Sequence, residues 1–299
     1  MCLAALDRGL RVAGTVHRTP SPVAGIGLHT VDLADGDGVR ALLADVRPAV
    51  VIHCAAMTAV DRAEEHPDEA VRGNVEASAH LARAAARAGA RMVYVSTDAV
   101  YPGERGPYSE DDPTGPVNVY ARTKRDGEDA VRAAAADHVV ARANLFGWNP
   151  RAGQGLAEWV LGRLESGDDV PGFTDVAFSP LEARTLAGTL LDLAAGPHRG
   201  TVNAGAADAV SKYAFARMIA EAFGHDPDRV RPSSSADVAF KAPRPRDTAM
   251  DAGRLAAWLG RPVPTVRDGI ARFRAQREDG TLDRLRGASP HATLSTGRP

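Results

Sequence analysis

The chain has 299 residues, 44% of them apolar and 25% charged, ordinary values for a globular protein of one large or two average domains. Lys and Arg number 36 against 38 Asp and Glu, a formal net charge of −2, which gives no general attraction to nucleic acid or to an anionic membrane. Cys2 and Cys54 make no disulfide framework, no Cys/His group has zinc spacing, no apolar run is long enough to cross a bilayer, and the start is too short and too charged for a signal peptide. Secreted scaffolds, membrane proteins and basic DNA-binding modules are thereby excluded, and a reducing, cytoplasmic setting is expected.

Residues 1–10 read as the back half of a helix, with Leu3, Leu6 and Leu10 on one face and Arg8-Gly9 ending it. Short apolar runs follow at 11–16, 28–31, 49–54, 92–96 and 138–141. Helical stretches lie between them at 37–44, 60–88 and 117–136. Strands this apolar are buried on both faces, as in a parallel sheet covered by helices. The alternation predicts an α/β fold with a doubly wound parallel sheet. Beyond about residue 144 the pattern loosens. Helices are expected at 156–164, 181–194, 212–223, 252–259 and 266–276, a strand at 201–203, and an extended polar stretch at 232–245. Residues 1–146 thus form a dinucleotide-binding domain. Residues 147–280 form a smaller substrate lobe interleaved with its end, and 283–299 a disordered Gly/Ser/Thr/Pro-rich tail.

The beginning departs from the doubly wound pattern. Such a domain should open with a further strand and a glycine-rich turn before the first helix, and neither is present. Gly25/Gly27 and Gly153/Gly155 read as ordinary turns rather than phosphate loops. Losing two or three charge-assisted hydrogen bonds, at about 1.5–3 kcal/mol each, weakens diphosphate binding by several orders of magnitude. The expected explanation is a natural start roughly twenty residues upstream. The alternative is a real loss of cofactor binding. A longer reading frame encoding a strand and glycine turn favours the first, and an upstream stop codon rejects it.

The chemistry concentrates at Tyr120-Ala-Arg-Thr-Lys124, where i,i+4 spacing puts phenol and ammonium on one helix face. A free tyrosine titrates at about 10, and a nearby cation lowers that value, so the pair can protonate a carbonyl oxygen while a nicotinamide delivers hydride. The strand at 92–96 ends in Ser96-Thr97-Asp98, and ligands gather at the carboxyl ends of parallel strands. The strand at 49–54 ends in Cys54-Ala55-Ala56, small residues that admit a flat cofactor. Asn74 sits mid-helix, an unfavoured place open to either a contact or a surface reading.

The run VIHCAAMTAVDRAEEHPDEAVRGN, followed by YVSTDAVYPGERGPYSEDDPTGPVNVYARTKRDGE, resembles the extended short-chain dehydrogenase/reductases. Within them it is most similar to the dTDP-4-dehydrorhamnose reductases, over about residues 10–275. The segments GFTDVAFSPLEARTLA and TVNAGAADAVSKYAFARMIAEAFG resemble that family's substrate lobe. The resemblance implies NADPH-dependent reduction of the 4-keto group of a dTDP-4-keto-6-deoxy sugar. Thr97 would orient the keto oxygen, Tyr120 would donate the proton, and Lys124 would bind the ribose hydroxyls and lower the Tyr120 pKa. Asp32-Leu33 would contact adenine, and Ala55, Ala56 and Thr58 would line the cofactor. His17-Arg18 follow the second strand, where a cationic end suits a 2′-phosphate and favours NADP over NAD. Asp98, Asn144 and Arg244 would meet the nucleotide sugar. A homodimer is left open.

Two further departures sharpen this. Position 99 is Ala where the related dehydratases carry Glu, so elimination of water lacks its acid/base group. Asn144-Leu145-Phe146 stands where the reductases commonly show Ser-Trp near the sugar, leaving the exact substrate open. The rival class is a non-catalytic regulatory subunit like that of methionine adenosyltransferase, which the missing turn favours and the Thr97/Tyr120/Lys124 set opposes. An epimerase is a weaker third. The remaining candidates have plainer readings. His53-Cys54 read as packed strand-end residues, and the acids from Asp61 to Glu69 as helix-dipole partners. Trp148 and Trp159 read as core or stacking residues, and Arg83, Arg87 and Arg91 as a solvated stripe.

Overall fold

The structure, a computed structural model, describes residues 1–17 and 23–287. The first half runs α1 (Cys2–Asp7), β1 (Ala13–Val16), β2 (Gly27–Thr30), α2 (Gly36–Val46), β3 (Val50–His53), α3 (Val60–Glu65), α4 (Pro67–Val71), α5 (Ala77–Arg87), β4 (Arg91–Thr97), α6 (Val119–Ala134), β5 (His138–Ala143) and β6 (Leu145–Phe146). The second runs α7 (Leu156–Glu165), β7 (Val170–Phe173), β8 (Ala177–Phe178), β9 (Leu181–Glu182), α8 (Ala183–Ala195), β10 (Gly200–Ala204), β11 (Val210–Ser211), α9 (Lys212–Phe223), β12 (Val230–Ser233), α10 (Gly253–Leu259), α11 (Val266–Ala275) and α12 (Thr281–Arg286).

The expected parallel sheet is present, with four strands in the order β10-β5-β4-β3. The β1–β2 pair is a separate parallel ribbon. Side-chain alternation splits the core in two. Val93, Val139, Ala141 and Val202 face one side and pack with α7, α8, α9 and α11. Met92, Tyr94 and Val140 face the other and pack with α2, α5 and α6. The second half adds two-stranded pairs: β6–β9 and β12–β7, both parallel, and antiparallel β8–β11. No helix among the described residues is long and apolar enough to cross a membrane.

Several elements differ from expectation. The stretch 60–88 is not one helix. Pro67 restarts it, and a π-turn at Arg72–Glu76 divides it again, because Asn74 bonds outward to another segment. Leu181 and Glu182 pair with β6 before α8 begins, and the Glu182 carboxylate caps that helix. Arg91 is not a solvated residue: it is buried, donating to Asp137 at 3.1 Å and to the His198 carbonyl. Residues 283–286, expected in a disordered tail, belong to α12, while Arg18 and 288–299 lie outside the described residues.

One close approach sets where α6 lies. A Cβ built at Gly127 would stand 2.4 Å from the Tyr94 hydroxyl and 2.7 Å from the Asn74 carbonyl. The second neighbour is backbone and cannot yield cheaply. Gly127→Ala is therefore expected to destabilise the fold by about 1–3 kcal/mol despite alanine's better helix propensity. Urea unfolding of the variant measures this. A gain in stability would show that α6 has slack.

Candidate active site

The carboxyl end of β4 supplies the centre of the site. Thr97 closes the strand, and its Oγ1 donates to Asp98 Oδ1 at 3.1 Å while accepting from the Ala99 amide at 3.2 Å. Helix α6 begins nearby because Asn118 caps it, accepting from the Ala121 amide at 2.9 Å. The Asn118 amide group also donates to the Pro243 carbonyl, which ties the cap to the second half. The Val119 amide donates to Glu64 Oε2 at 2.9 Å, so an acid from α3 stands at the positive end of α6.

This placement brings Tyr120 and Thr97 to the same cleft. Lys124 lies one turn further and is buried. Its Nζ donates to the Val95 carbonyl at 2.8 Å and stands 4.1 Å from the centre of the Tyr94 ring. Burial pushes the Tyr120 hydroxyl up to about 12, helped by the Asp98 charge and opposed by the Thr97 hydroxyl. The expected lowering by Lys124 is not what governs this phenol, because the ammonium is aimed at Val95. Burial lowers Lys124 itself to about 8, with Glu128 and Cys54 pulling it back up.

Asp98 is the most enclosed acid of the site. It accepts from Thr248 Oγ1 at 2.5 Å and from Asn144 Nδ2 at 2.8 Å. Burial raises its pKa against those donors and against Lys212. Arg244 pairs with Asp61 Oδ1 at 2.9 Å, an ion pair between the second half and α3.

These side chains line one cleft of about 700 Å³. It gathers Thr58, Thr97, Asp98, Tyr120, Asn144 and Arg244 from the candidates named by sequence. The others stand apart. His17 and Asp32 form a second group at the ends of β1 and β2, 3.9 Å from each other, with Arg72 at 2.5 Å from the same Asp32 oxygen. Leu33 packs on the core face beside α2. Ala55 and Ala56 lie on the coil leaving β3, before Thr58. Asn74 is buried and locks that coil, accepting from the Met57 amide at 2.8 Å and donating to Thr123 Oγ1 at 2.9 Å. Trp148 stacks on Phe273 and Trp159 is exposed, so neither belongs to the cleft. Among the described residues, no group of His, Cys, Asp and Glu could hold a metal ion.

The sequence reading missed Lys212, Phe173, Val176, Phe178 and Phe240, which form the opposite wall. Lys212 carried a usable signal. It is the first residue of α9, where the helix dipole disfavours a cation. The acids Asp61 and Glu64 were read as dipole partners of their own helix, yet they reach Arg244 and the start of α6.

His53 lies behind the site. It is buried, 3.1 Å from Ser78 Oγ, and burial and the Lys124 charge hold its pKa down at about 3. A histidine held neutral in the fold binds fewer protons than its unfolded counterpart between about pH 3 and 6.5. Stability is therefore expected to fall as pH drops through that window, by up to about 1.4 kcal/mol per unit from this residue. His53→Gln should flatten that part of the profile, read by urea unfolding at about pH 4 and about pH 7. Identical slopes in variant and parent would refute a buried neutral imidazole.

Comparison with known proteins gives the following. The RmlD substrate binding domain family matches residues 6–278. A dTDP-4-dehydrorhamnose reductase of Streptomyces griseus is 38% identical over 258 residues, covering 83% of this chain and 84% of that protein. The methionine adenosyltransferase 2 subunit beta of Bos taurus is 32% identical over 235 residues, covering 75% of this chain and 69% of that one. The crystal structure of dTDP-4-dehydrorhamnose reductase from Bacillus anthracis in complex with NADP superposes with a TM-score of 0.77 at 23% identity, covering 89% of this chain and 100% of that one.

Proposed function

This chain belongs to the RmlD substrate binding domain family, and we propose that it reduces the 4-keto group of a dTDP-4-keto-6-deoxy sugar, with Tyr120 as proton donor. The observation that carries the reading is the convergence of Thr97, Tyr120 and Lys124. Two line the cleft, and the third is buried one helical turn behind them. The reductase relative matches four-fifths of this chain, and the family match spans both halves of it.

NADPH, when bound, supplies the hydride. The nicotinamide end fits the residues present. Lys124 Nζ gives one of its three protons to Val95, which leaves donors for ribose hydroxyls. Ala55, Ala56 and Thr58 would line the same end, and Asp32, Leu33, His17 and Arg18 the adenosine end. Among the described residues no glycine-rich turn follows a strand to hold the diphosphate. NADP rather than NAD rests on His17 and Arg18.

The protein groups divide the work as follows. Tyr120 keeps its proton at neutral pH, because burial and Asp98 hold the phenol protonated. An alkoxide at C4 is a far stronger base than a phenolate, so transfer from Tyr120 to that oxygen runs downhill. Thr97 accepts from a backbone amide and donates to Asp98, which fixes its oxygen beside Tyr120. The Lys124 ammonium, one turn away and anchored on the Val95 carbonyl, holds the ribose of the cofactor rather than the phenol. Lys212 and Arg244 offer positive charge to a nucleotide diphosphate, and Phe173 and Phe240 offer apolar surface to its base.

The test is NADPH consumption with dTDP-4-keto-6-deoxy sugars, dTDP-4-dehydrorhamnose among them. Tyr120→Phe should cut kcat by about 10²–10⁴-fold while the protein still binds the product nucleotide sugar. Thr97→Val, which removes one oxygen-positioning hydroxyl, should cost about 10²-fold. Unaltered turnover in Tyr120→Phe would remove the proton donor and with it the mechanism. A binding-only protein of the regulatory-subunit kind would consume no NADPH at all.

A further inference from the structure

Beneath the cleft the same helix carries a charge that takes no part in the mechanism above. Glu128 is 0% exposed, one turn beyond Lys124 and two beyond Tyr120. Its carboxylate is saturated. Ser96 Oγ donates to Oε1 at 2.6 Å. Arg142 donates through Nε to Oε1 at 3.0 Å and through Nη2 to Oε2 at 2.8 Å, and Arg132 donates to Oε2 at 2.7 Å. Arg142, 4% exposed, faces Ser96 in the β4–β5 register, and its third nitrogen, Nη1, donates to the Tyr101 hydroxyl at 3.0 Å.

Three successive residues of β4 are each hydrogen-bonded to α6. The Tyr94 hydroxyl donates to the Lys124 carbonyl, and the Val95 carbonyl receives the Lys124 ammonium. Ser96 holds the Glu128 carboxylate, and the next residue, Thr97, lines the cleft together with Tyr120. The helix can neither slide nor rotate on the strand without breaking several of these at once. Apolar packing of similar volume would hold the fold equally well, because a buried ion pair is weak support for stability. What directional bonds add is one register.

We propose that Glu128 is a positioning residue for proton transfer, acting through Ser96 and Arg142 to set where Tyr120 and Lys124 stand relative to Thr97. The proposal rests on the reductase reading. Its electrical consequence falls on Lys124. The groups facing that ammonium are Glu128 on its own helix, Cys54 and His53 at the end of β3, and Tyr94 on β4. His53 stays neutral, and the Tyr94 phenol is pushed above its usual range by burial. Glu128 is therefore the acid that holds Lys124 protonated, and its loss lets the lysine titrate lower.

Two variants test this. Glu128→Gln keeps the shape and removes the charge. The Lys124 ammonium should then titrate about one unit lower by NMR of the cofactor-free protein, and the alkaline limb of kcat should move down with it. The double variant Glu128→Leu with Arg142→Met removes the pair in favour of apolar volume. It should still unfold cooperatively, its urea midpoint lowered by no more than the loss of the Ser96 partner accounts for, yet lose about tenfold to hundredfold in kcat, with KM within about threefold. A double variant that folds and retains kcat overturns the proposal, as does a Lys124 midpoint unmoved in Glu128→Gln. If the unmodified protein consumes no NADPH with the keto sugar, the reductase reading fails, and the Lys124 titration alone decides the role of Glu128.

Discussion

A strand buried on both faces has to satisfy its own polar end. Met92, Val93 and Tyr94 of β4 are fully buried, and Ser96, Thr97 and Asp98 follow them without emerging into solvent. An unpaired polar group at such depth costs about 1–3 kcal/mol. Thr97 is satisfied locally by Asp98 and the Ala99 amide, and its two neighbours are met by side chains from elsewhere: Ser96 by Glu128 of α6, and Asp98 by Asn144 from beyond β5 and Thr248 from the second half. Helix, sheet and lobe converge on one point because that strand end requires partners from all three.

The two walls of the cleft differ in charge. The sheet side carries Asp98, and the opposite side carries Lys212 and Arg244. Lys212 is drawn toward Asp98 against the dipole of its own helix, while burial weakens its hold on a proton. Arg244 is tethered to Asp61, whose oxygen also accepts from the Ala242 amide, so the loop before Pro245 is fastened to α3. The arrangement gives anion-attracting groups to the lobe and proton-handling groups to the sheet.

What the amino-acid order made legible is the part governed by short-range rules. The apolar runs at 49–54, 92–96 and 138–141 became β3, β4 and β5 because strands covered on both sides must be apolar throughout. Tyr120 and Lys124 could be placed on one face because four residues make a helical turn. The far wall of the cleft was not legible. Phe173 and Phe240 meet edge to face, 6.2 Å between ring centres, although 66 residues and several elements separate them. The two-residue strands β6, β8, β9 and β11 exist only because of their partners, and periodicity over two positions carries no signal. Arg91 looked like its surface neighbours Arg83 and Arg87, since nothing local announces the Asp137 carboxylate that covers it.

The absence of a side chain at Gly127 has a consequence for how such a protein can diversify. The seam between α6 and β4 has no room for even a methyl group. The lobe wall has latitude, with Phe240 38% exposed and resting against Phe173 and the Arg244 guanidinium. Mutational drift is thus filtered unevenly: the half that handles protons is rigidly specified, whereas the half that greets the sugar nucleotide can be rewritten. New preferences can accumulate on that wall while the reactive geometry is inherited intact.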